Sequence, residues 1–339
     1  MYPRSRCAIE IVLAAALWAA CGPAAPIASG TMIWRDQVVS AALAGNLLGD
    51  SATRYISVYL PPGYEAGHKR YPVLYLLQSF RGRALDPSAV AAALDGLIAA
   101  GQSREMILVF TDGFNALGGS WYLSSSTVGD WDKFITQELV SHIDGTYRTL
   151  ASRDARAITG CSMGGYGALH LAFAHPDVFG ITVGNSTSFG MWSDAGWEQG
   201  RSEFTQAPAD PRAVSGMPLI AAAYVGLAAS RAPNPSNPPL YLDMPFRIVD
   251  GKAQIVPEVK ARIDGVALEA DLRAYLAQPV RLRGLMIYHG THDGIGYARA
   301  FDRILSQSGV PHEYLEVPAF HCGLDWSPVL QFVSGSMPR

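Results

Sequence analysis

The strongest chemical signal in the sequence is the pentapeptide Gly160-Cys-Ser-Met-Gly164, which fits the pattern G-x-S-x-G. It lies between a short apolar run at 157–160, which predicts a strand, and a stretch at 163–174 that predicts a helix. At a tight strand-to-helix turn, glycines relieve crowding and the serine hydroxyl is held clear of the sheet. We therefore predict that Ser162 is a catalytic nucleophile.

A serine hydroxyl is a weak nucleophile until a base removes its proton, so a histidine and an orienting carboxylate are expected later in the chain. His321 follows the last predicted strand, 314–317, and Asp293 follows the strand before it, 285–288. The chain order Ser162, Asp293, His321 is the order found in α/β-hydrolases. The sequence therefore predicts a catalytic triad, with a solvated turn aspartate as the alternative for Asp293.

Other histidines and aspartates are weaker candidates for the base and the acid. Some lie on or just past a predicted helix, one lies close to His321 in the chain, and one precedes the nucleophile. They are His170, His175, Asp302, Asp325 and Asp112. His289 and His292 flank a Gly-Thr turn, but no third metal ligand accompanies them. We therefore predict neither a metal site nor a cofactor.

Two backbone N–H groups are expected to receive the oxyanion. The helix after Ser162 presents unpaired N–H groups and its positive dipole end, which indicates Met163. The second donor of such a fold comes from the loop after an early strand, here 73–77, which indicates Phe80. Trp121 and Tyr122 could form an apolar substrate wall or be packing residues, and the sequence leaves both interpretations open.

Composition excludes several classes of protein. The chain has 339 residues and a net charge of −3, so it lacks the basic excess that nucleic-acid binding needs. Apolar residues make up 49% and charged residues 16%, which excludes a disordered chain and indicates a large buried core.

Apolar strands alternate with helices over 31–189 and 280–339. The remaining predicted strands are 54–61, 106–110 and 181–183, and the remaining predicted helices are 87–100, 131–147 and 297–308. This alternation predicts an α/β protein with a mostly parallel sheet and helices on both faces. Residues 190–279 break the rhythm, with one predicted helix at 268–276 and no clear buried strand. We expect this insertion to be a cap over the site, with an appended domain as the alternative.

The N-terminus has the pattern of a secretory signal. Arg4 and Arg6 precede an apolar stretch at 11–20, which is too short to cross a membrane permanently. We predict a signal peptide over 1–28 and a secreted or periplasmic protein. Cys21 follows two small residues as in bacterial lipoproteins, so a lipid anchor at Cys21 and ordinary cleavage both remain open.

Several further motifs accompany the pentapeptide: Tyr71-Pro-Val-Leu-Tyr-Leu-Leu, Gly119-Ser-Trp-Tyr, Asp144-Gly-Thr-Tyr-Arg and His175-Pro-Asp-Val-Phe-Gly. Together they resemble the esterase D-like esterases, which include S-formylglutathione hydrolases, feruloyl esterases and mycolyltransferases. The resemblance implies an α/β-hydrolase fold that acts on carboxylic esters through an acyl-enzyme. One departure is Gln78-Ser79, where the family commonly has His-Gly. The insertion is not covered by this resemblance.

A second resemblance concerns the cysteines beside two triad residues. Cys161 precedes Ser162 and Cys322 follows His321, which is similar to the tannase group. That resemblance implies a Cys161–Cys322 disulfide joining the two catalytic loops, with two free, packed cysteines as the alternative. The calcium site of that group is not expected, because no carboxylate-rich loop is present.

The sequence thus predicts a carboxylesterase for a small-molecule or polysaccharide-linked ester, with feruloyl, other aromatic or short-chain esters as candidates. Acyl transfer to an alcohol or sugar is the alternative within enzymes. A non-catalytic, ligand-binding surface lipoprotein is the alternative outside them. The oligomeric state is left open.

Overall fold

The computed structural model describes residues 28–82 and 86–338. The predicted signal peptide, including Cys7 and Cys21, lies outside the described residues except for its last position. No helix in these two ranges is both long enough and apolar enough to span a membrane.

Ten strands occur in the described ranges. They are β1 (Thr31–Val39), β2 (Thr53–Leu60), β3 (Val73–Leu77), β4 (Ile107–Thr111), β5 (Arg156–Cys161), β6 (Ile181–Asn185), β7 (Phe246–Val249), β8 (Lys252–Ile255), β9 (Gly284–Gly290) and β10 (Glu313–Val317). Eight of them form one sheet in the order β1-β2-β4-β3-β5-β6-β9-β10, and β7 and β8 pair as a separate hairpin. In the large sheet, β1 and β2 run antiparallel to their neighbours, and the remaining strands are parallel. The predicted mostly parallel sheet is confirmed.

The helices are α1 (Pro87–Ala99), α2 (Trp131–Lys133), α3 (Val140–Thr146), α4 (Met163–Ala174), α5 (Asp194–Glu203), α6 (Leu219–Arg231), α7 (Pro257–Asp264), α8 (Leu268–Leu276), α9 (Ile295–Gln307) and α10 (Ser327–Ser336). A π-helical segment, Phe134–Leu139, joins α2 to α3. The side chain of Asp86 caps α1 by accepting the N–H groups of Ser88 and Ala89, as expected of an Asp-Pro start.

Strands β3, β4, β5 and β6 are wholly buried, and their side chains alternate between two core clusters. Leu74 and Leu76 of β3 pack with residues of α1 and α10. Val73, Tyr75 and Leu77 point the other way and join a larger cluster with α4. Helices on both faces explain why these strands read as continuous apolar runs rather than as alternating ones.

The insertion at 190–279 contains α5 to α8 and the β7–β8 hairpin. Its helix α6 is almost wholly buried, and its apolar residues belong to the larger of the two core clusters. The insertion is therefore packed directly on the helical layer beside the strand ends.

Candidate active site

Ser162 occupies the turn between β5 and α4, with a backbone conformation that few non-glycine residues adopt. Its φ is 60° and its ψ is −118°, which is strained for an L-residue. Gly160 and Gly164 make the turn possible, because a Cβ atom on either would overlap the carbonyl oxygen of Leu77. The strand-turn-helix geometry that the pentapeptide predicts is present, and it holds the serine at the carboxyl edge of the sheet.

The contacts of Ser162 come from the last residue of β6 and from the loop that follows it. The N–H of Ser162 lies 3.2 Å from the carbonyl oxygens of both Asn185 and Ser186. Its Oγ lies 3.1 Å from the Oγ of Ser188. No local pattern in the sequence indicates Ser188, because its contact with Ser162 arises only from the pairing of β5 with β6.

His321 and Asp293 form a hydrogen-bonded pair at the same sheet edge. Nδ1 of His321 lies 2.8 Å and 2.9 Å from the two carboxylate oxygens of Asp293. The Asp293 side chain is mostly buried, with 16% exposed, whereas 48% of the His321 side chain is exposed. A carboxylate on Nδ1 directs the other ring nitrogen, Nε2, away from the pair and fixes the tautomer that a general base requires.

A disulfide joins Cys161 to Cys322, with their Cα atoms 5.8 Å apart. It connects the end of β5 to the loop after β10, across 161 positions of sequence. The backbone N–H of Cys322 also donates to Oγ of Ser186 at 3.2 Å. Because each cysteine is a neighbour of Ser162 or His321 in the chain, the crosslink holds the serine and histidine loops together.

The two predicted oxyanion donors belong to two different elements of the chain. Met163 is the first residue of α4, where an N–H group has no intrahelical acceptor. Phe80 opens a short 3₁₀ turn after β3 and lines the cleft. The adjacent Arg81 donates its backbone N–H to the Gly118 carbonyl at 2.7 Å, which holds this loop in place.

Ser162, Asp293 and His321 all line one cleft of about 1380 Å³. The core contributes apolar residues to its wall, Phe80, Phe114, Trp121 and Phe189, and the insertion contributes Met191, Leu219, Ile220 and Ala223. The only cationic side chain of Lys or Arg type among the described lining residues is Arg81, which donates to the carbonyls of Val214 and Met217.

The structure separates the two residues predicted as a substrate wall. Trp121 lines the cleft. Tyr122 is wholly buried behind it, donates its hydroxyl to the Gln78 carbonyl at 2.9 Å and packs edge-on against Trp131. The wall interpretation of Tyr122 is therefore wrong, because its side chain is enclosed by core residues. Trp121 lines the cleft but is itself only 1% exposed.

Most of the other histidines pair with carboxylates away from Ser162. His170 lies 2.8 Å from Asp271, His175 2.8 Å from Asp132 and His312 3.0 Å from Asp302. His292 stacks on the exposed Phe320 ring. Within the part of the chain that the structure describes, no three His, Cys, Asp or Glu side chains are placed to bind a metal ion.

Comparison with known proteins agrees with this geometry. Residues 51–215 match the protein family described as "Putative esterase". This segment is similar to that esterase family, and the match covers just under half of the chain. The match includes Ser162 and the predicted oxyanion loop, whereas Asp293 and His321 lie beyond it.

Individual relatives extend the comparison. Esterase Rv1288 of Mycobacterium tuberculosis is 33% identical over 145 residues, which cover 42% of this chain but only 30% of that protein. A solved ferulic acid esterase has a TM-score of 0.59 at 20% identity, covering 91% of this chain and 99% of its own. An S-formylglutathione hydrolase from Staphylococcus aureus has a TM-score of 0.56 at 16% identity, covering 90% and 99%. These likenesses confirm the predicted α/β-hydrolase fold.

Proposed function

We propose that this protein is a carboxylesterase that uses Ser162, His321 and Asp293 as a catalytic triad. The observation that carries the proposal is the strained Ser162 turn facing the same cleft as the His321–Asp293 pair, with a disulfide between the neighbouring residues. The similarity of residues 51–215 to the esterase family supports the class of reaction.

The first half of the reaction forms an acyl-enzyme. Nε2 of His321 accepts the Ser162 proton as Oγ attacks the ester carbonyl carbon, and the imidazolium is stabilised by the Asp293 carboxylate. The N–H groups of Met163 and Phe80 receive the negative charge that develops on the carbonyl oxygen. The histidine then gives its proton to the leaving alcohol oxygen, and the ester bond breaks.

The second half releases the acid. His321 removes a proton from water as the water oxygen attacks the acyl carbon, and the same two N–H groups again hold the oxyanion. Collapse of this intermediate breaks the bond to Oγ, which recovers its proton from His321. The enzyme returns to its starting state without a cofactor.

We propose aromatic, hydroxycinnamate-like or short-chain esters as substrates. The cleft that Ser162 lines is large and mainly apolar, and its more accessible aromatic residues include Phe80, Phe114 and Phe189. Rings of this kind favour stacking with a planar acyl group. The name of the solved ferulic acid esterase with the same fold supports this choice.

We also propose that the protein acts outside the cytoplasm, either free or anchored through lipidated Cys21. The Cys161–Cys322 disulfide supports an oxidising compartment. Mass spectrometry of the protein from cell-envelope and secreted fractions tests this, because an unprocessed N-terminus confined to the cytoplasm would contradict it.

Ser162→Ala tests the reaction. We expect loss of at least about 10⁴-fold in kcat for p-nitrophenyl and methyl hydroxycinnamate esters, with the fold intact, because no other group supplies the attacking oxygen. A fluorophosphonate should label the wild type and not the variant. Ser306→Ala, on the exposed side of α9, is the matched control. Substantial turnover by Ser162→Ala would disprove the triad. A second assay adds an alcohol acceptor to the wild type: if the transferred ester then exceeded the free acid, the protein would be an acyltransferase rather than a hydrolase.

A further inference from the structure

His289 is a second histidine in contact with Asp293. It is the penultimate residue of β9, its side chain is 3% exposed, and it lines the cleft. Its Nε2 is hydrogen-bonded to the backbone carbonyl of Asp293 and lies 3.4 Å from the carboxylate oxygen Oδ2. Since a carbonyl oxygen can only accept, Nε2 carries the proton.

The other ring nitrogen of His289, Nδ1, makes no hydrogen bond among the described residues. This atom is buried, and the ring packs near Phe189. Burial lowers the pKa of His289, which favours the neutral imidazole near pH 7. A neutral ring donates a hydrogen bond without neutralising the carboxylate.

The charged and titratable groups facing His289 are Asp293, His321 and Glu316. Glu316 lies opposite His289 in the β9–β10 pair, and it is held by the guanidinium of Arg299 at 2.7 Å. Arg299 and the Tyr314 hydroxyl lower the pKa of Glu316. Glu316 is therefore paired with Arg299, whereas the Asp293 carboxylate is hydrogen-bonded to His321.

We propose that His289 is a positioning residue that fixes the Asp293 turn so that the carboxylate meets Nδ1 of His321. The N–H of His289 holds the Asp293 main chain, and the same nitrogen lies 3.4 Å from Oδ2 of the carboxylate. Asp293 is thereby contacted from two sides, by a neutral histidine that orients it and by the base that it supports. This inference rests on the proposed triad.

Three substitutions test the role of His289. Glutamine places an N–H close to the position of Nε2, asparagine places one near Nδ1, and phenylalanine has none. We expect about a 100-fold fall in kcat for His289→Phe and His289→Asn with KM nearly unchanged, and recovery to within about tenfold for His289→Gln. His312→Gln is the matched control, because His312 also bonds a carbonyl and a carboxylate but lies outside the cleft lining.

The pH profile separates positioning from a general loss of packing. A poorly aligned carboxylate stabilises the protonated base less, so the acid limb of kcat/KM should move to lower pH by at least half a unit in His289→Phe. Unchanged kcat, or equal loss in the Gln and Phe variants with no movement of the acid limb, would overturn the proposal. Turnover by Ser162→Ala would instead overturn the triad itself.

Discussion

The two sides of the cleft are built differently. On the core side, Ser162 follows the buried parallel strand β5, and the Cys161–Cys322 disulfide ties it to the loop of His321. On the insertion side, α6 supplies apolar wall residues and is held by noncovalent contacts alone. One of these is the Glu203 carboxylate, which accepts the N–H groups of Ile220 and Ala221 at 2.8 Å and 3.2 Å.

This difference indicates a division of labour. The predicted triad and the oxyanion donors lie on the core side, where small displacements are costly to the reaction. The insertion contributes apolar residues to the cleft wall, including Leu219, which is 52% exposed. Changes on the core side should therefore lower kcat, and changes in the insertion should raise KM.

Among these tests of the two sides of the cleft, Asp293→Asn should have the largest effect on kcat. The amide cannot hold His321 in the required tautomer or stabilise the imidazolium, so we expect kcat to fall by about 10³- to 10⁴-fold with little change in KM. Steady-state kinetics measure both constants. Asp302→Asn, which removes the carboxylate beside His312, is the control. If Asp293→Asn kept more than a tenth of wild-type kcat, Asp293 would not be the acid of the triad.

Removal of the disulfide should have the next largest effect. The double variant Cys161→Ser, Cys322→Ser loses a crosslink over 161 positions, which we expect to cost about 2–5 kcal/mol of unfolding free energy. Because the loops of Ser162 and His321 become less well aligned, kcat should also fall. Urea unfolding and kinetics measure the two effects. Dithiothreitol should reproduce them in the wild type and change nothing in the double variant; a wild type insensitive to full reduction would contradict this role.

Glu203→Ala should have the smallest effect and a different character. Loss of the cap on α6 should cost about 1 kcal/mol of stability and raise KM for bulky aromatic esters a few-fold, with kcat nearly unchanged. Glu198→Ala is the control, because Glu198 lies on α5 like Glu203 but pairs only with Arg201 among the described residues. A fall in kcat that matched the rise in KM would show that the insertion also positions the reacting groups.

Much of the core was predictable because its local signals agree. The strand at 73–77 and the helices at 163–174 and 268–276 have the bounds that the sequence indicates. In each, the apolar pattern, the flanking turn residues and the element length point the same way. The G-x-S-x-G turn was predictable for the same reason.

Other elements escaped prediction for physical reasons. In β1, a bulge between Ile33 and Asp36 interrupts the alternation that identifies a strand. Helix α6 is buried nearly all round, so it shows no polar face from which to read a helical period. The sequence suggested His289 only as half of a metal pair, and its contact with Asp293 appears once β9 and its following turn are folded.

The sequence by itself determined the candidate reacting groups, which are a serine in a glycine-flanked turn and a later aspartate and histidine at strand ends. It also determined the mostly parallel α/β core. These features depend on residue types and short spacings, which local sterics and burial translate directly into structure. Only the tertiary structure decided that Trp121 lines the cleft while Tyr122 does not, and that His289 and Ser188 lie beside the proposed triad. Such contacts join residues distant in the chain, and they are fixed by packing rather than by any local preference.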